Sequence, residues 1–173
     1  MHTYPDSIEE KLGFTLVRRR LGQLVKGPLG QERLEGMRPA QSREWLDAEL
    51  QRVHEAQEAL RYDRGIPLQH VHDVRGTLRK ARPEDAYVPA DALHAIRQIL
   101  VTGQRLARYF ADRQPDYPSL ARSTRRITPL DDLEAHLSAI IDEGGSIRDD
   151  ASDALLRIRR QIRERQNELR STL

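Results

Sequence analysis

The histidines and carboxylates are the residues that could carry chemistry, because the chain contains no cysteine. His70, His72 and Asp73 form a His-x-His-Asp arrangement that could bind zinc. A zinc site, however, needs three or four converging ligands, and Asp73 is better explained as the cap of a helix. The other histidines stand singly and are expected at the surface or the N-terminus: His2, His54, His94 and His136. The histidines therefore do not predict a metal site.

A second candidate is the acidic group Asp142, Glu143, Asp149 and Asp150, which flanks the pair Gly144-Gly145. A turn followed by helix capping explains these acids better than a metal cluster does. The sequence has no phosphate-cradling Gly-rich motif with lysine, and no dinucleotide-binding fingerprint. We therefore predict no catalytic residue, no metal and no cofactor in this chain. Gly144 and Gly145 are predicted to form a hinge in which at least one glycine has positive φ.

Arginine dominates the basic residues, with 26 arginines against three lysines. The arginines cluster at 18–20, 122–126 and 157–165, although the net charge is only +2. Two interpretations of these arginines remain equally open. They form ion pairs on helices, in a genome biased toward arginine codons, or they contact nucleic acid. The nucleic-acid candidates lie on the last helix, and binding there should be salt-sensitive and non-specific. They are Arg157, Arg159, Arg160, Arg163 and Arg165.

The C-terminal segment predicts a long charged helix that begins at Ser152 and still runs at Leu173. Apolar residues recur on one side of it at helical spacing. This seam consists of Leu155, Ile158, Ile162 and Leu169, and it is interrupted by Arg165 and Thr172. A narrow stripe of this kind needs a partner. A second copy would give a modest, concentration-dependent dimer.

The remaining pattern is that of an all-α protein, an antiparallel helical bundle with a protruding C-terminal helix. At most a minimal β-turn or hairpin is expected near 142–148. Residues 1–151 should form the helical core domain, and residues 152–173 the start of the long helix. The predicted shared core is Leu50, Val53, Leu60, Val74, Leu78, Leu93, Ile96, Leu100, Leu137 and Ile140. Without an apolar run long enough to span a bilayer, and without a signal-peptide pattern, we expect a cytoplasmic protein with no membrane contact.

The order of segments resembles the second family of bacterial MutS-like proteins, the anti-recombination endonucleases that lack a mismatch-reading domain. The resemblance covers residues 7–170. The motifs that carry it are KLGF at 11–14, GPLG at 27–30, DVRGTLRKA at 73–81 and DEGGSIRDDAS at 142–152. Gly145 departs from the family pattern, which has an acidic or polar residue there. The loop at 65–71 is also less glycine-rich than is typical.

The resemblance implies an N-terminal core that joins a long lever arm to an ATPase. The whole protein would be a homodimeric ATPase with ATP and Mg bound in a domain absent here. It would also have a DNA-enclosing clamp and a C-terminal Smr nuclease domain. It would suppress recombination on mismatched or branched DNA, and some members act on stalled ribosomes. No ATP-binding or nuclease residue maps onto this chain. The alternative is a free-standing helical interaction module that dimerises through its C-terminal helix.

Overall fold

The computed structural model describes residues 8–40, 42–63 and 65–171, and these residues fold into α-helices without a sheet. The all-α prediction is therefore confirmed. Within these ranges the helices are α1 Ile8–Lys11, α2 Phe14–Leu24, α3 Gly27–Glu35, α4 Arg43–Tyr62, α5 Arg75–Lys80, α6 Ala90–Ala111, α7 Pro118–Thr124, α8 Asp131–Ile140 and α9 Asp153–Ser171. One antiparallel bridge joins Ile141 to Ile147, which confirms the minimal hairpin expected near 142–148.

Serine side chains mark the starts of two helices. The Ser42 hydroxyl accepts a hydrogen bond from the Trp45 amide at 3.1 Å and caps α4. In the same way, the Ser152 hydroxyl accepts from the Leu155 amide at 3.2 Å at the start of α9. Each hydroxyl satisfies an amide that has no partner inside its own helix.

Two other helix boundaries differ from the prediction. The apolar spacing from Ile8 to Val25 predicts one unbroken first helix, but Gly13 adopts φ 71° and separates α1 from α2. Only glycine takes this left-handed conformation without steric cost. Asp73 was expected to cap α5, whereas the structure places Val74 at the N-cap. Pro5 predicts a helix start at 4–7, and these residues lie outside the described ones, as does Thr172, which interrupts the seam.

The chain divides into two compact units. Unit 1 comprises Met1–Asp73 and Thr102–Thr128, and unit 2 comprises Val74–Val101 and Pro129–Leu173. Helix α6 contributes its first half to unit 2 and its second half to unit 1. Helices α8 and α9 both fall in unit 2. A functional boundary at the start of α9 stays a prediction.

The core of unit 1 is small and partly aromatic. Its buried members are Ala59, Phe110, Tyr117 and Ala121. The Phe110 ring meets the rings of Tyr109 and Tyr117 edge-on, with centroids 4.9 and 6.2 Å apart. In unit 2 the buried apolar residues include Ile96, Leu137 and Ile141. Each unit therefore has its own apolar centre.

The predicted shared core is largely wrong. Leu50, Val53, Leu60 and Leu78 are each more than half exposed, and Ile140 is 37% exposed. Only Ile96 and Leu137 of that list are buried, while Val74, Leu93 and Leu100 are half-buried. On α4 the residues turned inward are instead Glu55 and Ala59, one helical turn apart. The apolar stripe on α4 is real as a pattern, but within the described residues nothing covers it.

Candidate hinge and interaction surfaces

The turn between α8 and α9 is built around Asp142. Its Oδ1 accepts hydrogen bonds from the amides of Gly144 and Ser146, both at 2.9 Å. The Asp142 amide donates to the Ser146 carbonyl at 3.0 Å, which closes the loop. Gly145 has φ 83°, whereas Gly144 does not have positive φ. The predicted positive φ is therefore confirmed at Gly145, and the Asp142 side chain holds the turn together.

His94 packs directly against this turn, although sequence reasoning placed it at the surface. A Cβ atom at Gly145 would lie 3.2 Å from His94 Cγ and 3.3 Å from its Cδ2. The His94 Nδ1 atom is buried and has no hydrogen-bond partner among the described residues. Gly145 thus meets two requirements at once, a left-handed backbone and a close approach to an imidazole ring. A single histidine on a helix gave no signal for this contact.

The start of α9 is anchored by Asp149, which lies before the helix. Its carboxylate accepts hydrogen bonds from Arg159 and from Arg163, the latter at 2.9 Å. The hydrogen bond from Arg159 is the main reason that the pKa of Asp149 is lowered. The adjacent Asp150 pairs with Arg148 at 3.0 Å. These two acids thus form ion pairs, and the capping predicted for this cluster is performed by Ser152.

The predicted nucleic-acid arginines of α9 differ in their surroundings. Arg159 and Arg163 bind Asp149, and Arg165 pairs with Glu168 at 3.0 Å. Arg157 donates only to the backbone carbonyl of Asp153, at 3.3 Å. Arg160 is exposed and has no partner among the described residues. Nucleic-acid contact through this helix stays a prediction, with most of its arginines already holding anionic groups.

The predicted seam of α9 lies at the surface. Leu155 is half-buried, while Ile158, Ile162 and Leu169 are 53, 50 and 69% exposed. Every side chain from 160 to 170 is exposed. The helix therefore extends for about three turns without cover from the described residues. Pairing through this seam stays a prediction.

In unit 1 a buried carboxylate fixes the start of α7. Glu55 of α4 is only 2% exposed. Its Oε2 accepts from the amides of Ser119 and Leu120, both at 2.9 Å, and Gln51 donates to its Oε1 at 3.2 Å. Burial by itself would raise the pKa of Glu55, but the hydrogen bonds from Leu120 and Ser119 outweigh it, so the pKa is lowered. Glu55 acts as an N-cap delivered from another helix.

A second polar contact lies at the end of α4. The Asp63 carboxylate accepts from the hydroxyls of Tyr109 and Tyr117 at 2.7 and 3.2 Å. Arg113 lies 3.2 Å from the same carboxylate, and its guanidinium stacks over the Tyr109 ring. The hydrogen bond from Tyr109 lowers the pKa of Asp63, while burial and that bond raise the pKa of Tyr109 to about 12. This cluster ties α4 to the aromatic core of unit 1.

The first arginine cluster also has a structural member. Arg18 donates to the carbonyls of Leu34 and Met37, at 2.8 and 3.1 Å, and so binds α2 to the end of α3. The Arg18 guanidinium also forms a 3.0 Å ion pair with Glu9. Part of the arginine richness therefore serves the fold.

The described residues contain no group of three or more histidine, aspartate or glutamate side chains placed to share a metal ion. The rings of His70 and His72 stack with centroids 6.2 Å apart. Among the same residues, no helix combines the length and apolarity needed to cross a membrane.

Fold and surfaces together define a two-unit helical module that carries a long, largely exposed C-terminal helix. Comparison with known proteins makes the assignment specific. The chain is 32% identical over 168 residues to the endonuclease MutS2 of Symbiobacterium thermophilum, a match that spans 94% of this chain and 20% of that protein. Its identity to the putative endonuclease MutS2 of Bacillus subtilis is 27% over 168 residues, with 94% and 21% covered. No protein-family model matches the chain.

The resemblance inferred from the motifs is thus confirmed, and the chain is a MutS2-like sequence. It spans about a fifth of the length of the curated relatives that it matches. It therefore corresponds to part of a MutS2-like protein.

Proposed function

We propose that this chain is the non-catalytic N-terminal core and lever base of a MutS2-like protein. In this role it transmits the nucleotide state of an ATPase domain to a DNA clamp through a stiff helix. The observation that carries the proposal concerns α9. Its first turns are held by ion pairs and a cap, and the side chains of its later turns are exposed. Such a helix is suited to transmit a displacement from a packed base to a distant partner.

The anchoring of α9 supports the lever role. Asp149 holds Arg159 and Arg163, two positions one turn apart on the helix, and thereby fixes the direction of its first turns. Ser152 caps the same end. Beyond Arg163 the helix keeps an apolar stripe, with Leu169 69% exposed. A second helix along this stripe would complete the lever.

The exposed stripe on α4 supports the proposal that further domains cover this core. Leu46, Leu50, Val53 and Leu60 are between 41 and 64% exposed and recur at helical spacing. A contiguous apolar face of this kind is typical of an interface. The remaining domains of a MutS2-like protein are the proposed cover.

The wider activity follows from the family and is proposed on that basis. The whole protein would hydrolyse ATP with Mg and cleave DNA, acting as a homodimer. It would suppress homologous recombination through mismatched or branched DNA, and action on ribosomes is a further possibility within the family. The partners of this chain would be the remaining lever, the clamp and the ATPase domain.

Two experiments test the proposal. The reading frame that encodes this chain should continue into a Walker A motif. The purified 173-residue chain should neither hydrolyse ATP nor cut DNA, whereas the whole protein should do both. Hydrolysis of ATP by the chain alone would contradict the assigned role.

The exposed seam of α9 also favours a second function, that of a free-standing interaction module that dimerises through this helix. A stop codon directly after Leu173 in the natural gene, together with a stable dimer, would favour this function over the lever base.

A further inference from the structure

The outer face of α4 has the residue spacing of a helix that packs lengthwise against a second helix. Its positions follow one another in steps of four, three, four and three residues, which is the alternation of the two core positions in a heptad repeat. Together they form the α4 seam: Leu46, Leu50, Val53, Gln57 and Leu60. All five side chains are exposed. The described residues therefore leave this seam uncovered along its whole length.

The α4 seam lies on the side of the helix that faces away from the core of unit 1. Each residue of an α-helix turns by about 100°, so Leu46, nine residues before Glu55, comes on the opposite side of α4. Glu55 is the buried residue that binds the first amides of α7. A partner can therefore approach the seam without disturbing the contacts of Glu55.

Four charged side chains beside the seam have their partners on α4 itself. Arg43 forms an ion pair with Asp47 at 3.6 Å, and Arg52 forms one with Glu49. Because these charges already offset one another, they do little to attract a partner of either sign. The apolar side chains of the seam, rather than its flanks, determine what binds there.

Gln57 sets a further requirement for the occupant. Burial of an amide costs free energy unless the amide is hydrogen-bonded. A single polar residue at a core position between two helices also fixes the register in which they pack. The matching helix therefore has apolar residues at steps of three and four, and one side chain that forms a hydrogen bond with the Gln57 amide.

The size of the seam indicates that its occupant belongs to the same polypeptide. From Leu46 to Leu60 the helix rises by about 21 Å, and a helix is about 10 Å wide, so the contact covers roughly 200 Å² of α4. Stable interfaces between separate proteins bury about 800 Å² on each partner. A tethered segment needs a far weaker affinity, because its effective concentration is in the millimolar range. In a MutS2-like protein such segments are plentiful, since this chain spans only about a fifth of its curated relatives.

We propose that the α4 seam binds one amphipathic helix from the part of the same polypeptide that lies outside residues 1–173. The helix packs along α4 in a single register, with its polar side chain against Gln57, and covers the outer side of unit 1. This inference rests on the proposed function, because the helix exists only in the whole MutS2-like protein.

Photo-crosslinking in the purified whole protein tests this proposal. The variant Leu50→p-benzoylphenylalanine places the probe in the seam, and Ala48→p-benzoylphenylalanine, at an exposed position of α4 outside the seam, is the control. The Leu50 probe should give a product with the mass of one polypeptide, in which α4 is joined to a peptide outside residues 1–173. Its yield should exceed that of the control by about tenfold, because a docked helix stays in contact with the probe.

A second pair of variants shows whether the apolar side chains hold the occupant. With the probe at Leu50, Val53→Gln should lower the yield about fivefold, because it removes a buried apolar side chain from the contact. Ala48→Gln introduces the same side chain outside the seam and should leave the yield unchanged. Circular dichroism should show equal helix content for both, since Val53 is 53% exposed in the chain. Equal yields from the two variants would contradict a docked helix.

The other occupants of the seam give different products. A product with twice the mass would place a second copy on α4, and a product joined within residues 1–173 would place a helix of this chain there. Either result overturns the proposal, as does a yield from the Leu50 probe no higher than that of the control. A whole protein without the expected crosslink removes this inference alone, whereas ATP hydrolysis by the 173-residue chain contradicts the proposed function.

Discussion

Helices α7 and α9 differ in how far contacts with the rest of the chain stabilise them. Helix α7 has only seven residues, two of them buried, and its first amides are bound by Glu55. Helix α9 has nineteen residues, and every side chain from 160 to 170 is exposed. A single seven-residue helix is not stable alone in water, so α7 exists because of its contacts. Among the described residues, α9 is in contact with the rest of the chain only near its base.

Helix α7 is therefore covered by other parts of the chain, whereas most of α9 is exposed. Two carboxylates of unit 1 have their partners within the unit: Glu55 binds amides of α7, and Asp63 binds two tyrosine hydroxyls and Arg113. Beyond its first turn, the apolar side chains of the α9 seam are at least half exposed and are available to a partner. The following variants test this contrast, in order of decreasing effect.

Removal of the Glu55 carboxylate should give the largest effect. Glu55→Ala leaves the Ser119 and Leu120 amides without their acceptor inside the protein, and should lower the free energy of unfolding by about 2–4 kcal/mol. Urea denaturation measures this change. Glu44→Ala, at an exposed position on the same helix, is the control and should cost less than about 0.5 kcal/mol. Equal stability of the two variants would show that Glu55 does not hold α7.

The turn at the base of α9 should tolerate a side chain at one glycine but not at the other. Gly145→Ala introduces a Cβ at φ 83° and 3.2 Å from His94, so a loss of about 1–3 kcal/mol is expected. Gly144→Ala, where the new Cβ meets only Asp142 Oδ1 at 3.4 Å, should be nearly neutral. Thermal melts of both variants provide the comparison, and a neutral Gly145→Ala would remove the hinge interpretation.

Lowering the pH should destabilise unit 1, because the Glu55 carboxylate becomes protonated. Because its folded-state pKa lies below the ordinary value of 4.5, its contribution is complete above pH 4.5. The contribution is lost as the pH falls through the lower folded value. Melting temperatures measured from about pH 6 to pH 3 should therefore fall more steeply for the wild type than for Glu55→Gln. Parallel curves for the two proteins would contradict this assignment.

Disruption of the α9 seam should affect association and leave the folded chain intact. Ile158→Glu/Ile162→Glu changes two side chains that are half exposed, so the stability should change by less than about 0.5 kcal/mol. Sedimentation over a concentration series should show a weak dimer for the wild type and none for the variant. A dimer that persists in the variant, or a wild type that is monomeric throughout, would exclude the seam.

Local signals predicted much of the fold. The start of the last helix at Ser152 and the turn at the double glycine were predicted, because each depends on residues within a few positions. The prediction that the apolar face of α4 is buried was wrong, because hydrophobic periodicity reveals an apolar stripe but does not tell whether another element covers it. Leu50 and Val53 were assigned to the core for that reason, yet they are exposed.

The candidate sites were harder to predict. Glu55 looks like any solvated glutamate on a helix, and its acceptor role depends on amides 64 and 65 residues away.

Amide hydrogen exchange tests the central contrast most directly, because it reports opening residue by residue. In a sample dilute enough to be monomeric, the amides of Ser119 and Leu120 should exchange slowly. Amides beyond Ile162 should exchange at rates close to those of a fraying helix. If residues 163–170 of the monomer were as protected as α7, then α9 would already be covered. The proposal that α9 is a lever helix, exposed beyond its base, would then be contradicted.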